Sequence, residues 1–582
     1  MRIAKLEISN YRGIRTLDWS PSPGMNCLIG PGDSTKTTIL DAIDLALNPR
    51  SNYLGADTDF YNLNFEAPAT ITVTLVGIPT EFCADNRYGL HLRGWNPATA
   101  TLIDEPAETD TGVVDALSIR VEIDPITLEG RWSIFNDRLS GTDDPPSLRF
   151  TDARELATTR LGPYAERHLA WGRHSILNRI GEGGRMTEQL AAASRAAREA
   201  FRVSNKDVFA IPTARAETVG KHFSVRVRRG LSAELDIQSA SITAGGVALH
   251  DGDLPLRTLG TGSSRLIVSA LQHNARGSHI ALVDEIEHGL EPHRIARLLK
   301  YLLLPPETDT APTTATAPQI FLTTHSEVVL RELSAQNIHA VRCNDGDTRV
   351  RPVAHTAEAG AAQRHLRCAP EAFLARRILV GEGRTECGLL RGLDTLWIAS
   401  GFDSFALRGA VAIDGRGVPE AVTLTKHLQD LGYECLALLD SDEPPSPSAV
   451  ADAEAAGAAM LLWPGGCSIE ERIFLDVPWS TVRDLVAYAA SYHTAESILT
   501  RINAQCAEAG VAALPNLALP VTLDTPAFRR LLGTTAKSKK RPWFKSIDHG
   551  EVIAAIIHPC LSQIPTTPLR VGLQRVRDWI DG

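Results

Sequence analysis

Apolar and polar positions alternate through the first 20 residues (IAKLEISNYRGIRTLDW), a period of two that predicts an antiparallel pair of strands. An apolar run then opens the stretch Cys27–Leu40 and turns through Gly30-Pro31-Gly32-Asp33 into Lys36-Thr37-Thr38-Ile39-Leu40. That order reads as buried strand, turn and helix start. Ile39–Leu47 carries apolar residues at helical spacing and stops at Asn48-Pro49. Alternation returns at Thr70–Val76, Ala116–Ile123 and Arg131–Phe135, which makes the N-terminal part rich in strands. From Thr151 to Phe201 the chain becomes Ala/Arg/Glu-rich and predicts helix, broken at Gly181-Glu182-Gly183-Gly184, with Met186–Phe201 its best helix-forming segment. Pattern alone leaves open whether this helix is an arm that meets a second subunit or a surface helix of its own domain. Strand-like segments return at His222–Val227 and Glu234–Ile242, before a Gly/Ser turn entering an apolar helix within Leu254–Leu271. Two short apolar strands follow, one ending at Asp284-Glu285 and one at His325, with the Pro/Thr-rich loop Pro305–Pro318 between them.

Beyond Ala369 the pattern restarts. Arg377–Glu386 is a strand, a Glu382-Gly383 turn and a helix opening at Thr385-Glu386. Ala410–Gly417 is a strand and Gly-rich turn, Val422–Leu431 is helical, and Cys435–Asp442 is a strand delivering Asp440 and Asp442. Leu461–Phe474 adds another strand and a helix from Ser468, with Glu470 and Glu471 in its first turn. Alternation along an extended backbone would put Asp440 and Asp442 on one side. Gly381 and Gly383 would let the backbone turn sharply.

Composition narrows the class. The chain has 582 residues, room for two to four domains, and its net charge of −10 argues against a basic coat but not against a local basic groove. Nine cysteines without a C-x-x-C pair read as reduced thiols of a cytoplasmic protein. No run of about 18 apolar residues is present, so no membrane span is expected.

Candidate chemistry falls into two sites. Gly30 to Thr37 follows the phosphate-loop pattern G-x-x-x-x-G-K-[ST], except that Thr35 stands where the second glycine belongs. Backbone N–H groups of such a loop favour an anion, Lys36 would meet the outer phosphates and Thr37 would hold Mg²⁺. Asp284 suits a magnesium-organising role, Glu285 activation of water, and His325 sensing of a γ-phosphate. In order and spacing these motifs resemble the ABC-type ATPases of the SMC/RecF group. That resemblance makes Gly30, Gly32, Lys36, Thr37 and Thr38 the Walker A loop, and Gly260, Gly262 and Ser263 part of the signature turn. It makes Asp284 and Glu285 Walker B, Gly289–His293 the D-loop and His325 the switch histidine. It also implies ATP as cofactor and two heads sandwiching it. A Q-loop would be sought near Asp59-Phe60.

At the second site, strand ends carrying Glu382, then Asp440 and Asp442, then Glu470 offer the hard oxygen ligands that Mg²⁺ or Mn²⁺ chemistry on phosphodiesters requires. In βαβα order they look like a Toprim domain. An ABC ATPase followed by Toprim resembles the OLD (overcoming lysogenization defect) nuclease family, which includes the nuclease subunit of the Gabija phage-defence system. The resemblance implies an α/β chain with an ABC-type ATPase first part at 1–151 and a dimerising helical insert at 152–210. A second ATPase part follows at 211–368 and a Toprim nuclease domain at 369–582. It implies metal-binding acids at Glu382, Glu386, Asp440, Asp442 and Glu470, and a catalytic lysine within Lys537–Lys545, best matched by Lys545. The remaining basic residues of that run read as a solvated, DNA-facing surface. The function implied is a DNA endonuclease gated by ATP in antiviral defence, working as a homodimer or higher oligomer beside a helicase-type partner. The alternative is an SMC/RecF-like repair ATPase whose Toprim fold binds DNA without cutting it.

Overall fold

The structure is a computed structural model describing residues 1–50, 53–106, 111–139, 145–161, 168–171, 175–177, 183–204, 207–222, 230–235, 246–273, 279–304, 318–354, 359–538 and 541–582. The predicted strand His222–Val227 lies almost wholly outside these residues, as do most of Glu234–Ile242 and of the Pro305–Pro318 loop. The chain divides into two compact units, Met1–Cys27 with Thr37–Thr324, and Leu28–Lys36 with His325–Gly582.

In the first unit the N-terminal alternation becomes β1 (Arg2–Tyr11) and β2 (Ile14–Trp19), antiparallel with Ile8 opposite Leu17. A five-residue strand, β3 (Met25–Ile29), leads into the Gly30 loop, and α1 (Lys36–Leu47) leaves it; of this stretch Leu28–Lys36 belongs to the second unit. Further antiparallel strands are β4 (Ala69–Val76), β5 (Arg93–Asn96), β6 (Thr101–Ile103), β7 (Val114–Ile123) and β8 (Gly130–Phe135). Register stacks Ile8, Ile71 and Val121 in one row and Leu6, Val73 and Ile119 in another. All six are buried, which is why a strict period of two marked these strands in the sequence. β9 (Thr159–Leu161) begins a parallel run. The helices α2 (Gly183–Val203), α3 (Asp207–His222) and α4 (Thr261–His273) follow, then β10 (Ile280–Val283), α5 (Pro292–Leu302) and β11 (Gln319–Thr323). β10 pairs in parallel with both β9 and β11. Buried Gln319 ties β11 to β1, accepting from Ile3 N at 2.7 Å and donating to Ile3 O at 3.0 Å.

The second unit holds a hairpin, β12 (Ile338–Asn344) with β13 (Asp347–Pro352), and a separate parallel sheet. Its strands and helices are β14 (Arg377–Gly381), α6 (Arg384–Ala399), β15 (Ala410–Asp414), α7 (Val418–Asp430), β16 (Glu434–Leu439) and β17 (Ala459–Leu462). The order β15-β14-β16-β17 is fully parallel. After β14 the chain steps to one side and then returns to the other, so the switch point lies between β14 and β16. In open parallel sheets that crevice, at the carboxyl ends of the strands, is where ligands bind. Three helices matter to it: α8 (Ile469–Asp476), α9 (Pro526–Ala536) and α10 (Ile547–Ile557). Trp463, Phe474, Trp543 and Phe544 are buried in the core they share.

Among the described residues no single helix is long and apolar enough to cross a membrane. All nine cysteines are free.

Candidate functional site

Three clusters emerge: the Gly30 loop, the acidic turn after β10 and the switch point of the parallel sheet. In the loop, Lys36 is buried and its ammonium donates to Gly30 O at 3.0 Å, Pro31 O at 2.7 Å and Ser34 Oγ at 3.1 Å. Gly30 sits at φ +149°, and a Cβ there would come within 2.6 Å of Val341 O. Thr35 adopts φ +65°, so the backbone takes the left-handed conformation that glycine provides freely even though a β-branched residue occupies it. Its hydroxyl donates to Ser34 O at 2.6 Å and lies 3.3 Å from Thr348 Oγ1. Gly32 has open space around it.

Thr37 opens the next cluster, donating to Asp284 Oδ1 at 3.2 Å. Asp284 stands just past the end of β10, buried, and also accepts from Thr323 Oγ1 at 2.7 Å, with Arg160 Nη2 3.8 Å from its other oxygen. Glu285 turns outward at φ +47° with its side chain half exposed. Its N–H donates to Thr323 Oγ1 at 2.8 Å, and its carbonyl accepts from Arg265 Nη2 at 2.9 Å. The Gly260 turn starts α4, and Gly262 packs so closely that an added Cβ would lie 2.2 Å from Gly289 O. Thus the two Gly turns that the sequence separates by some 27 residues meet through backbone. Ser263 accepts from Arg294 Nη1 at 3.5 Å. His325 follows β11 and is exposed. Asp59, near which a Q-loop was sought, is occupied structurally: Arg12 Nε donates to it at 2.8 Å, Ala56 N at 3.0 Å and Tyr53 OH at 3.3 Å.

At the switch point, Glu382 N donates to Leu438 O at 3.0 Å, seating Glu382 at the end of β14 beside β16. Asp440 N in turn donates to Glu382 Oε2 at 3.1 Å, and Asp440 Oδ1 accepts from Ile469 N at 2.8 Å. Glu386 lies in the first turn of α6 and accepts from Gly383 N at 2.9 Å. Burial, then the neighbouring carboxylates, pushes the Asp440 carboxyl far above its ordinary range; Glu386, Glu470, Glu382 and Asp442 all contribute charge. Glu386 is raised by burial and then by Glu470, while Glu382 and Glu470 are raised chiefly by burial. Four acids each resisting ionisation describe a pocket short of positive charge.

Two sequence expectations change here. Asp440 and Asp442 lie beyond the last residue of β16, so strand alternation does not apply: Asp440 faces the Ile469 N–H and Asp442 faces Lys537. The chain bends at Glu382-Gly383 as expected, and Gly381 also serves packing, because a Cβ there would lie 2.9 Å from Glu386 Cβ. Lys537 is no solvated DNA-facing residue. Its ammonium donates to Asp442 Oδ2 and Glu471 Oε2, both at 2.9 Å, while Thr534 Oγ1 holds the other oxygen of Glu471 at 2.7 Å. Lys539 and Lys540 lie outside the described residues. Lys545 is exposed, and its charge acts on both Glu382 and Glu470. It is delivered by an unusually close helix pair: Cβ atoms on Gly388 and Gly550 would meet Ile547 O at 2.0 Å and Thr385 O at 2.4 Å. Thr385 Oγ1 also donates to Phe544 O at 3.1 Å.

Arg265 and Thr323 escaped the sequence reading, and Lys537 was legible only as part of the basic run, because each acts through partners at least 19 residues away. A G-x-x-x-G spacing, Gly388 to Gly392, was the available signal for the helix contact.

The phosphate-loop motif ending at Lys36-Thr37 and the later Asp284-Glu285 pair mark a nucleotide-binding ATPase domain. The chain belongs to the family described as "AAA domain, putative AbiEii toxin, Type IV TA system", whose profile matches residues 25–331, more than half of it. No curated protein matches the chain. Similar solved structures include an Smc head bound to the C-winged helix domain of ScpA, at 14% identity and TM-score 0.33, covering 60% of this chain and 97% of that one. The SMC head domain of Thermotoga maritima matches at 15% identity and TM-score 0.28, covering 61% and 100%. A Pyrococcus furiosus Smc head with an extended coiled coil, bound to the C-terminal domain of ScpA, gives 13% and 0.32, covering 60% and 95%.

Proposed function

We propose that this protein is a metal-dependent DNA endonuclease of the OLD type, with a Toprim-like second unit whose cutting is controlled by the ATP-binding domain, acting in antiviral defence. The observation that carries it is the carboxylate cluster Glu382, Glu386, Asp440, Asp442 and Glu470 at the switch point of a parallel sheet, in which burial and neighbouring acids push up the carboxyls of Glu382, Glu386, Asp440 and Glu470. A hard divalent cation relieves that repulsion, and these five acids are the residues that would hold it. When bound, such an ion supplies charge stabilisation to the attacking and leaving oxygens of a phosphodiester. Among the described residues no three His, Cys, Asp or Glu donors are already gathered as a metal site. Glu382 and Asp440 spend oxygens on the Asp440 and Ile469 N–H groups, and Asp442 on Lys537. Loading the site therefore exchanges those bonds for the ion. Lys545, exposed beside the acids, is placed to stabilise charge on the phosphate.

In the ATPase domain, Lys36 would trade its three loop acceptors for phosphate oxygens, Thr37 and Asp284 would position Mg²⁺ and Glu285 would orient water. Exposed Val203, Val208 and Ile211 on α2 and α3 support a subunit contact through these helices.

The test is supercoiled plasmid with Mg²⁺ or Mn²⁺, with and without ATP, for the wild type and Asp440→Asn. Metal-dependent linear or nicked product from the wild type alone supports the reading. Binding without cutting, with ATP hydrolysis intact, would transfer the protein to the DNA-binding repair class.

A further inference from the structure

We infer that Arg265 is a positioning residue for ATP hydrolysis: by gripping two successive carbonyls of the acidic turn, it holds Glu285 in the conformation that presents its carboxylate to solvent. This rests on the reading of Glu285 as the residue that orients water. Arg265 lies in the first half of α4 and is 1% exposed. Its Nη2 donates to Asp284 O and Glu285 O, both at 2.9 Å. Those carbonyls lie beyond the last residue of β10, where the sheet ladder no longer fixes the backbone.

Glu285 has φ +47°, a conformation that an L-residue with a side chain adopts only when its surroundings impose it. The imposing groups are on the page. Thr323 Oγ1 takes the Glu285 N–H at 2.8 Å, and Arg265 takes the carbonyl on the other side of the same residue. Asp284 and Glu285 are thereby forced apart: one carboxylate buried on Thr37 and Thr323, the next half exposed. The buried guanidinium also lies in the field of Glu287, Asp284 and Glu285, which compensates its charge. Gly262, three residues earlier on α4, contacts Gly289 O across the end of the same turn. Arg265 and Gly262 therefore fix the acidic turn against α4 at its two ends.

The experiment uses the full chain with ATP and Mg²⁺. Arg265→Met removes both hydrogen bonds and keeps most of the apolar stem. The expected result is a fall in kcat of tenfold or more, with KM and the Kd for a fluorescent ATP analogue within twofold. In a Glu285→Gln background, where the positioned group is already disabled, Arg265→Met should add less than twofold to the loss. Should Arg265→Met fail to fold, as judged by circular dichroism, Arg265→Lys takes its place with the same pair of measurements. An Arg265 effect that repeats in full on Glu285→Gln overturns the inference, as does a loss of ATP affinity in step with kcat. Normal hydrolysis by Glu285→Gln alone would instead remove the reading of Glu285 on which it stands.

Discussion

Replacing Gly388 by alanine tests how the second unit places Lys545. In α6 the new methyl would sit 2.0 Å from Ile547 O, against an ordinary contact of about 3.4 Å, so one helix must retreat by about 1.4 Å. Two effects then compete. Alanine favours a helix interior over glycine by about 1 kcal/mol, whereas overpacking a close contact costs roughly 1–3 kcal/mol. The net expectation is a loss of about 1 kcal/mol, since a backbone carbonyl cannot rotate aside as a side chain can. Gly360, with nothing within 4 Å of an added Cβ, supplies the control: there alanine should leave stability unchanged or raised. Function should suffer more than stability. Ile547 is two residues after Lys545, and a displacement of about 1 Å in a reacting constellation can cost on the order of a hundredfold in rate. Urea unfolding of both variants, plasmid cleavage with Mn²⁺ and ATP hydrolysis are the measurements. Gly388→Ala should unfold at lower urea than Gly360→Ala, cut at least tenfold more slowly and hydrolyse ATP normally. Wild-type cutting by a folded Gly388→Ala would refute the claim that this helix contact sets the lysine.

Three further outcomes follow from the same geometry. Thr35→Gly releases a left-handed strain of about 1–2 kcal/mol while adding about 0.4–1 kcal/mol of unfolded-state entropy, so stability should rise slightly or hold; ATP should bind more tightly or turn over faster, and neither change would show the threonine to be neutral. For Asp440 the folded carboxyl is raised by burial and then by neighbouring acids, so its contribution is present below the unfolded value of about 3.9 and is lost as pH climbs toward the folded one. Without added metal, melting temperature should fall from pH 5 to pH 8, and Asp440→Asn, which keeps an acceptor for Ile469 N, should flatten that slope; equal slopes would refute it. Lys537→Met removes two ion pairs whose partly exposed geometry makes them worth about 1 kcal/mol or less each, and freeing Asp442 should tighten Mn²⁺ binding measured by electron paramagnetic resonance, whereas weaker binding would make Lys537 a supporting rather than a competing cation.

What the sequence determined by itself was everything that depends on neighbours along the chain. Strands β1, β4 and β7 were legible because one face of each is buried and a period of two records that directly. The Gly30 loop, Asp284-Glu285 and the Glu382 turn were legible as strand ends, because in each an apolar run stops at glycine or an acid. Ser468 was legible as the place where a helix begins, and the structure makes it the cap of α8, its hydroxyl accepting from Glu471 N. Tertiary structure decided what those residues face. Lys537, 95 positions from Asp442, left the solvated run to join the acids, because a partly buried carboxylate pair draws a cation more strongly than water does. Thr35 kept the conformation of the glycine it replaces because hydrogen bonds to Ser34 and Thr348 hold it there. Arg265 gave no local sign of its role: carbonyl groups carry no side-chain signature, so which turn a buried arginine grips is fixed only when the helix packs.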